Sequence, residues 1–159
     1  MIKVKIIALG RLKEKYLRDA ADEYIKRLKG YCDLEIIELN PVKLSDNPSE
    51  KEIDAALKSE AQMILKKVPQ NSKITALCVE GKGLPSEKFA KSINSATFDG
   101  APICFVIGSS DGLSEEIKAK AHNRLSLSEM TFPHQLFRIM LLEQIYRAFK
   151  INEGSTYHK

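Results

Sequence analysis

An α/β domain with a mainly parallel sheet and helices on both faces is the fold class this sequence predicts, on three observations. Short apolar, β-branched runs alternate with amphipathic stretches of helical period along the whole chain. Ile2–Leu9 becomes continuously apolar, and Cys78 and Cys104 sit inside apolar runs, the pattern of strands covered on both faces. The 159 residues, 43% hydrophobic and 29% charged, can bury one core and contain no repeat, low-complexity tract or linker. Residues 1–159 therefore read as a single domain.

Ile2–Leu9 alternates at first and then becomes wholly apolar, a buried strand closed by Gly10. Lys13–Lys29 is a helix: Leu17, Ala21, Tyr24 and Leu28 share one face, and Lys13, Lys15, Arg18, Lys26 and Arg27 decorate the rest as a solvated surface. Leu34–Leu39 is a second strand, ended by Asn40-Pro41. A polar loop, Val42–Pro48, leads to the capping-box pattern Ser49-Glu50-Lys51-Glu52, which opens a helix with Ile53, Leu57, Ile64 and Leu65 inward. Ile74–Val79 is a third strand, closed by Gly81 and Gly83, and Ser86 is expected to cap the helix that carries Phe89 and Ile93. Ile103–Ile107 is a fourth strand. Ser114-Glu115-Glu116 starts a short helix, Arg124–Leu127 is a short strand, and the last helix covers about Pro133 to Asn152.

The 25 Lys and Arg against 21 Asp and Glu leave a net charge of +4, a mild basic balance that permits a nucleic-acid partner without requiring one. Cys32, Cys78 and Cys104 are odd in number and form no Cys-x-x-Cys spacing. That argues against a zinc site or a disulfide framework, and Cys78 and Cys104 read as small buried hydrophobes. The N-terminal MIKVKIIALGRLKEK has a short, lysine-interrupted apolar run with no small-residue cleavage site, so it is not a signal peptide. No uncharged apolar stretch is long enough to span a bilayer. The expectation is a reduced, cytoplasmic protein with neither a membrane nor a metal partner.

In open α/β sheets ligands bind beyond the carboxyl ends of the strands. The turn after the first strand, GRLKEK, holds one glycine, so the dinucleotide fingerprint is missing there. Glycines cluster after the third and fourth strands, which puts any small-molecule site in the C-terminal half. In FVIGSSDGLSEE a buried strand delivers Gly108 to the sheet edge, where a missing side chain would let a ligand reach the backbone. The same residues also suit an ordinary strand-turn-helix joint. In SLSEMTFPHQLFR, Thr131 is a candidate cap and Pro133 suits a first helical turn. The helix that follows has a wide face of Phe137, Leu141, Leu142, Ile145 and Phe149, with His134 and Arg138 at its N-terminal end. A second apolar line runs through Leu136, Met140 and Ile151 among Glu143, Arg147 and Lys150. Two apolar sides mean two things to bury against, the domain's own sheet and either more of the same chain or a second subunit. His134 is open to two readings, a base or a satisfied core histidine. A buried Arg138 needs a ligand, a phosphate or a carboxylate beside it. The tail Tyr157-His158-Lys159 offers stacking, an imidazole and a phosphate-seeking charge, useful on RNA but also ordinary in a frayed terminus.

ALGRLKEKYL near the start, FVIGSSDGL in the middle and SEMTFPHQLFRIMLLEQIYRAFKINEGSTYHK at the end closely resemble a bacterial family over essentially the whole chain. It is the family of large-subunit ribosomal RNA methyltransferases that methylate N3 of a pseudouridine, minimal members of the SPOUT class. The resemblance implies an α/β domain whose C-terminal part is threaded into a trefoil knot, S-adenosyl-L-methionine (SAM) as cofactor, and a homodimer in which the partner's tail completes each site. The implied substrate is 23S rRNA in the assembled ribosome. By motif, the cofactor contacts would be Leu77, Gly108, Leu127, Ser128, Glu129, Met130, Thr131 and Phe132. Candidate bases would be His134, Glu143 and His158, with Arg138 or Lys159 stabilising charge or holding a phosphate, and with Tyr157, His158 and Lys159 on the RNA. The family commonly has two glycines where this chain has Gly108-Ser109; the serine adds a Cβ and a hydroxyl, and cofactor binding is expected to survive the change. Two alternatives stand beside this one. One is a non-catalytic ribosome-binding factor; the other is a phosphosugar or nucleotide enzyme that uses the GSSDG turn as an anion cradle.

Overall fold

The computed structural model describes residues 1–157 and alternates strand with helix throughout: β1 (Ile2–Leu9), α1 (Lys15–Leu28), β2 (Cys32–Leu39), α2 (Glu50–Leu65), β3 (Lys73–Lys82), α3 (Ser86–Asp99), β4 (Ile103–Ile107), α4 (Glu115–Lys120), β5 (Asn123–Leu125) and α5 (His134–Asn152). The sheet order is β2-β1-β4-β3-β5 and every pairing is parallel. The expected α/β architecture is therefore present. His158 and Lys159 lie outside the described residues.

Side-chain alternation on the central strands divides the interior into two layers. Val4, Ile6, Ala8, Ile103, Phe105 and Ile107 point to one face, where Leu17, Ala21 and Leu28 of α1, Phe89 and Ile93 of α3, and Leu141, Leu142 and Ile145 of α5 cover them. Ile7, Leu9, Ala76, Cys104 and Val106 point to the other, under Ala61 and Ile64 of α2 and Ile117 of α4. Three helices thus cover one face and two the other. α5 lies among its neighbours on the first face, in contact with both α1 and α3. Of its second apolar line, Leu136 and Ile151 pack half-buried against this same core, and Met140 is not part of it. Leu141, Leu142 and Ile145 are fully buried, each worth about 1.5–3 kcal/mol of transfer free energy, and they fix the helix on the sheet.

Several local expectations change. β2 begins at Cys32 rather than Leu34, and β5 ends at Leu125 rather than Leu127. In α2 only Ile64 of the four proposed inward residues is fully buried; Ala56, Glu60 and Ala61 take the innermost positions, and Ile53, Leu57 and Leu65 are half-buried. Cys104 is buried, whereas Cys78 is half-buried. Ser49 caps α2 as expected, with the Glu52 backbone N–H donating to Ser49 Oγ at 3.2 Å, while the Glu52 carboxylate accepts from the Ser49 hydroxyl at 3.3 Å. Ser114 caps α4 in the same way through Ile117 N–H at 3.3 Å. Ser86 does not cap α3, whose N-cap is Pro85; its hydroxyl instead donates to Gln144 Oε1 at 2.8 Å and ties α3 to α5. Thr131 does not cap α5 either, because Pro133 takes the N-cap position.

The third strand runs on to Lys82, beyond its expected end at Val79, and it does so irregularly. Leu77 and Lys82 both register with Leu125, so the residues between them bulge outward. The chain returns at Gly81, where a Cβ would stand 2.8 Å from the carbonyl carbon of Leu125 and 2.9 Å from that of Arg124. Only glycine admits an approach that close, on steric grounds alone. Gly81→Ala should cost about 1–3 kcal/mol by overpacking, measured as a fall in the urea midpoint at unchanged slope. A variant as stable as wild type would contradict the crossing.

Candidate functional site

Because the strands are parallel, β3, β4 and β5 deliver their carboxyl ends to one edge of the sheet. Three irregular segments follow those ends: the bulge of residues 78–81, the turn of residues 108–112 and the loop of residues 126–132. They enclose a cleft of about 330 Å³. Leu77, Ile107, Leu125 and Leu127 give it apolar walls, while Glu80, Asp111 and Lys118 bring charge to it.

The turn of 108–112 is tight. Gly112 N–H donates to Ser109 C=O at 2.9 Å, and Gly112 has φ +88°, a conformation that favours glycine. A Cβ on Gly108 would lie 2.3 Å from the Gly112 carbonyl oxygen. The expectation that Gly108 keeps space free for a ligand thus has a nearer cause: the turn itself needs the space. Ser109 Oγ donates to Glu60 Oε1 at 3.2 Å, and the second oxygen of Glu60 accepts from Val42 N–H at 2.9 Å. Glu60 is 4% exposed. The hydroxyl that stands where the resembled family has a glycine is therefore anchored to α2.

In the loop of 126–132 the serines bond locally. Ser126 Oγ donates to Ser128 C=O at 3.0 Å, and Ser128 Oγ accepts from Met130 N–H at 2.9 Å, which turns the backbone compactly around the cleft. Phe132 meets Phe137 edge to face, with centroids 5.9 Å apart. Val79 and Met130 project at the rim, 73% and 75% exposed. Across the opening Lys118 forms a close ion pair with Glu80, tying the β3 bulge to α4. That bond lowers the Glu80 carboxyl and raises the Lys118 ammonium from their ordinary values.

His134 stands at the start of α5 and lines the cleft. It is half-buried, and burial lowers its pKa from 6.5, helped by the nearby Arg138 and Lys13 charges. Gly10 (φ +102°) lies against it: a Cβ there would be 3.8 Å from His134 Nε2. Arg138, one turn later, has the carboxylate its burial demands. It donates to Glu38 Oε2 at 2.6 Å and to Gly10 C=O at 3.0 Å, fastening α5 to the ends of β1 and β2. It does not line the cleft.

Glu143 and Tyr157 belong to a different neighbourhood. Glu143 pairs with Arg147 at 2.7 Å and accepts from the Tyr157 hydroxyl at 3.1 Å. Tyr157 packs edge to face on Tyr146, with centroids 5.1 Å apart, and lies 4.8 Å from the Arg147 guanidinium carbon. Burial, and then the hydrogen bond to Glu143, push the nearby Tyr24 phenol up to about 12.

Of the proposed cofactor residues, Leu77, Gly108, Leu127, Ser128, Met130, Thr131 and Phe132 come together around the cleft, while Glu129 is exposed outside its lining. Of the proposed catalytic residues among those described, only His134 joins them. Sequence reasoning missed Glu80, Lys118 and Phe137. A glycine inside the end of the strand, Gly81, was the available signal for the bulge, but nothing local pairs Glu80 with Lys118. Among the described residues no group of three His, Cys, Asp or Glu side chains could hold a metal ion, and no helix is long and apolar enough to cross a membrane.

A family model described as "Predicted SPOUT methyltransferase" matches residues 2–158. The chain is 49% identical over 157 residues to the "Ribosomal RNA large subunit methyltransferase H" of Clostridioides difficile (strain 630), covering 98% of this chain and 99% of that protein. It is 52% identical over 159 residues to the protein of the same name from Streptococcus thermophilus (strain ATCC BAA-491 / LMD-9), covering 99% and 100%. Among solved structures, a methylase family protein from Haemophilus influenzae Rd KW20 superposes with a TM-score of 0.56 at 14% identity, over 100% of this chain and 72% of that one, a likeness of fold.

The Glu60 anchor is directly testable. Glu60→Ala strands the Val42 N–H and frees the 108–112 turn, and should cost roughly 1.5–3 kcal/mol. Ser109→Ala removes one bond and should cost about 1 kcal/mol. Equal urea midpoints for Glu60→Ala and wild type would contradict the anchor.

Proposed function

The chain belongs to the SPOUT methyltransferase family, and from that premise we propose that it transfers a methyl group from SAM to N3 of a pseudouridine in 23S ribosomal RNA. We place the reaction on the assembled ribosome, in the cytoplasm, with the protein acting as a homodimer. The observation that carries the reading is the cleft at the carboxyl ends of β3, β4 and β5, lined by seven of the eight residues that the resemblance assigns to the cofactor. The choice of RNA follows the names of relatives that match over nearly the full chain at about half identity. A trefoil-knotted C-terminal part is included in the proposal; the steric crossing of Gly81 on Leu125 and the packing of α5 among its neighbours are compatible with such threading.

The cleft fits this cofactor. Leu77, Ile107, Leu125 and Leu127 could flank a purine, the backbone of the 126–132 loop could meet its edge, and the Lys118–Glu80 pair adds charge to the lining. When bound, SAM supplies a methyl already activated on a sulfonium. The protein's part is then placement and one proton. His134 is the base the geometry favours over Glu143: it lines the cleft, and its lowered pKa leaves the imidazole neutral and able to accept the N3 proton at pH 7. Glu143 is committed to Arg147 and Tyr157. Arg138 acts as a positioning residue that fixes the start of α5 against Gly10.

The tail serves a second copy. Tyr157 is held on the flank of α5 and does not line its own chain's cleft, so Tyr157, His158 and Lys159 are assigned to the RNA at a neighbouring copy's site. The exposed apolar side chains of Val79 and Met130 at the rim offer that copy a surface to cover.

Mass mapping of ribosomal RNA from cells lacking the protein should show one pseudouridine short of one methyl group, restored on complementation; an unchanged map refutes the function. Deleting residues 157–159 should leave SAM affinity and dimerisation intact and abolish methylation, whereas full activity would refute the role of the tail. If His134 is the base, activity falls only as pH drops below 6.5, because the folded imidazole stays neutral to lower pH than a free one. Histidine protonation opposes the fold over the same window, so stability falls with it. An acid limb unmoved in His134→Gln would remove His134 from the chemistry.

A further inference from the structure

His134 has a second side. A groove of about 390 Å³ opens there, lined by Gly10, Arg11 and Lys13 after β1, by Leu44 and Ser45 of the polar loop before α2, and by Glu60. Cleft and groove share Ser109, Ser110, Asp111 and His134. The two cavities therefore adjoin along one imidazole and one turn.

The groove has the chemistry of a nucleotide site. Pro41, Val42 and Leu44 form an apolar wall, and Ser45, Ser110 and Asp111 offer hydrogen-bonding groups. A base taken out of its stack needs both. Glu60 bonds the backbone of the polar loop on one side and the 109–111 turn on the other, so both walls are anchored to one buried carboxylate. Arg11 and Lys13 are exposed, and among the described residues neither side chain has a salt-bridge partner. Both also line the adjoining groove of about 620 Å³ along α1, together with Arg18 and Arg138. Gln135 holds this segment in place by accepting from Lys13 N–H at 2.9 Å.

We propose that this groove receives the acceptor nucleotide: the base enters between the polar loop and the 109–111 turn, beside His134 where the groove adjoins the cleft, and Arg11 and Lys13 hold the flanking phosphates. The inference rests on the reading of the cleft as the cofactor site. A methyl transfer needs the acceptor nitrogen in line with the donor methyl and in direct reach of it, so donor and acceptor sites must adjoin, and His134 lines both cavities where they meet.

The test measures SAM affinity by calorimetry, and kcat and KM for methylation of purified ribosomes over a salt series. It compares the wild-type chain, Arg11→Gln/Lys13→Gln and Leu44→Trp. The double variant changes only exposed side chains, and a matching thermal midpoint confirms its fold. It should bind SAM within about twofold of wild type and raise KM for ribosomes by roughly tenfold or more, with the slope of log KM against log salt smaller by about 1.4–1.8, the loss of two phosphate contacts. Leu44→Trp, which fills the groove, should lower kcat while SAM affinity holds. Wild-type KM, salt slope and kcat in both variants overturn the inference and leave the cofactor reading standing; so does a parallel loss of SAM affinity in either, which makes the groove part of the cofactor site. A wild-type chain that fails to bind SAM removes the cofactor reading, and this inference with it.

Discussion

Two backbone approaches too close for any side chain hold the cleft in shape. At one, the end of β3 passes against β5 at Gly81; at the other, the start of the 108–112 turn passes against its own end at Gly108. Neither glycine has positive φ, so each is required by contact rather than by conformation. With the β3 bulge turned outward and the β4 turn closed on itself, the space over Leu77, Ile107 and Leu125 stays open. A methyl group at Gly81 would push the β3 bulge off β5, and one at Gly108 would open the 108–112 turn.

The rest of the molecule positions those walls. The two-layer core fixes the strands, and α5 is fixed by its buried leucines and by Arg138, whose bonds to Glu38 and Gly10 set the start of the helix. That puts His134 beside Gly10 at the boundary between two cavities. Glu60 works similarly from the opposite face of the sheet, since one buried carboxylate holds both the polar loop before α2 and the β4 turn. Glu60 and Arg138 thus act on the cleft through the segments they hold in place.

Much of this was legible in the sequence, for physical reasons. Strand runs such as Ile103–Ile107 are too short and too apolar for anything but the centre of a sheet, and the box at Ser49–Glu52 carries its own hydrogen-bond logic. The location of the cleft followed from where glycines cluster relative to strand ends. What stayed hidden was nonlocal. Ser86 and Thr131 have the right residue type for caps, but the prolines at 85 and 133 took those positions. Arg138 was expected to need a partner, yet Glu38 is a hundred residues away, and spacing does not reveal which carboxylate answers. The Lys118–Glu80 pair and the anchoring of Ser109 on Glu60 depend equally on tertiary placement. Resemblance supplied the cofactor, the RNA and the partner's tail; periodicity ended at an α/β domain with a ligand site in its C-terminal half.

The central claim is that the cleft beyond β3, β4 and β5 is where SAM binds. Amide hydrogen exchange, followed by mass spectrometry with and without saturating SAM, tests it most directly. Protection concentrated in residues 77–82, 107–113 and 125–134 is the result this account requires. Protection centred instead on residues 11–25 and 36–38, or none anywhere at saturating ligand, would contradict it.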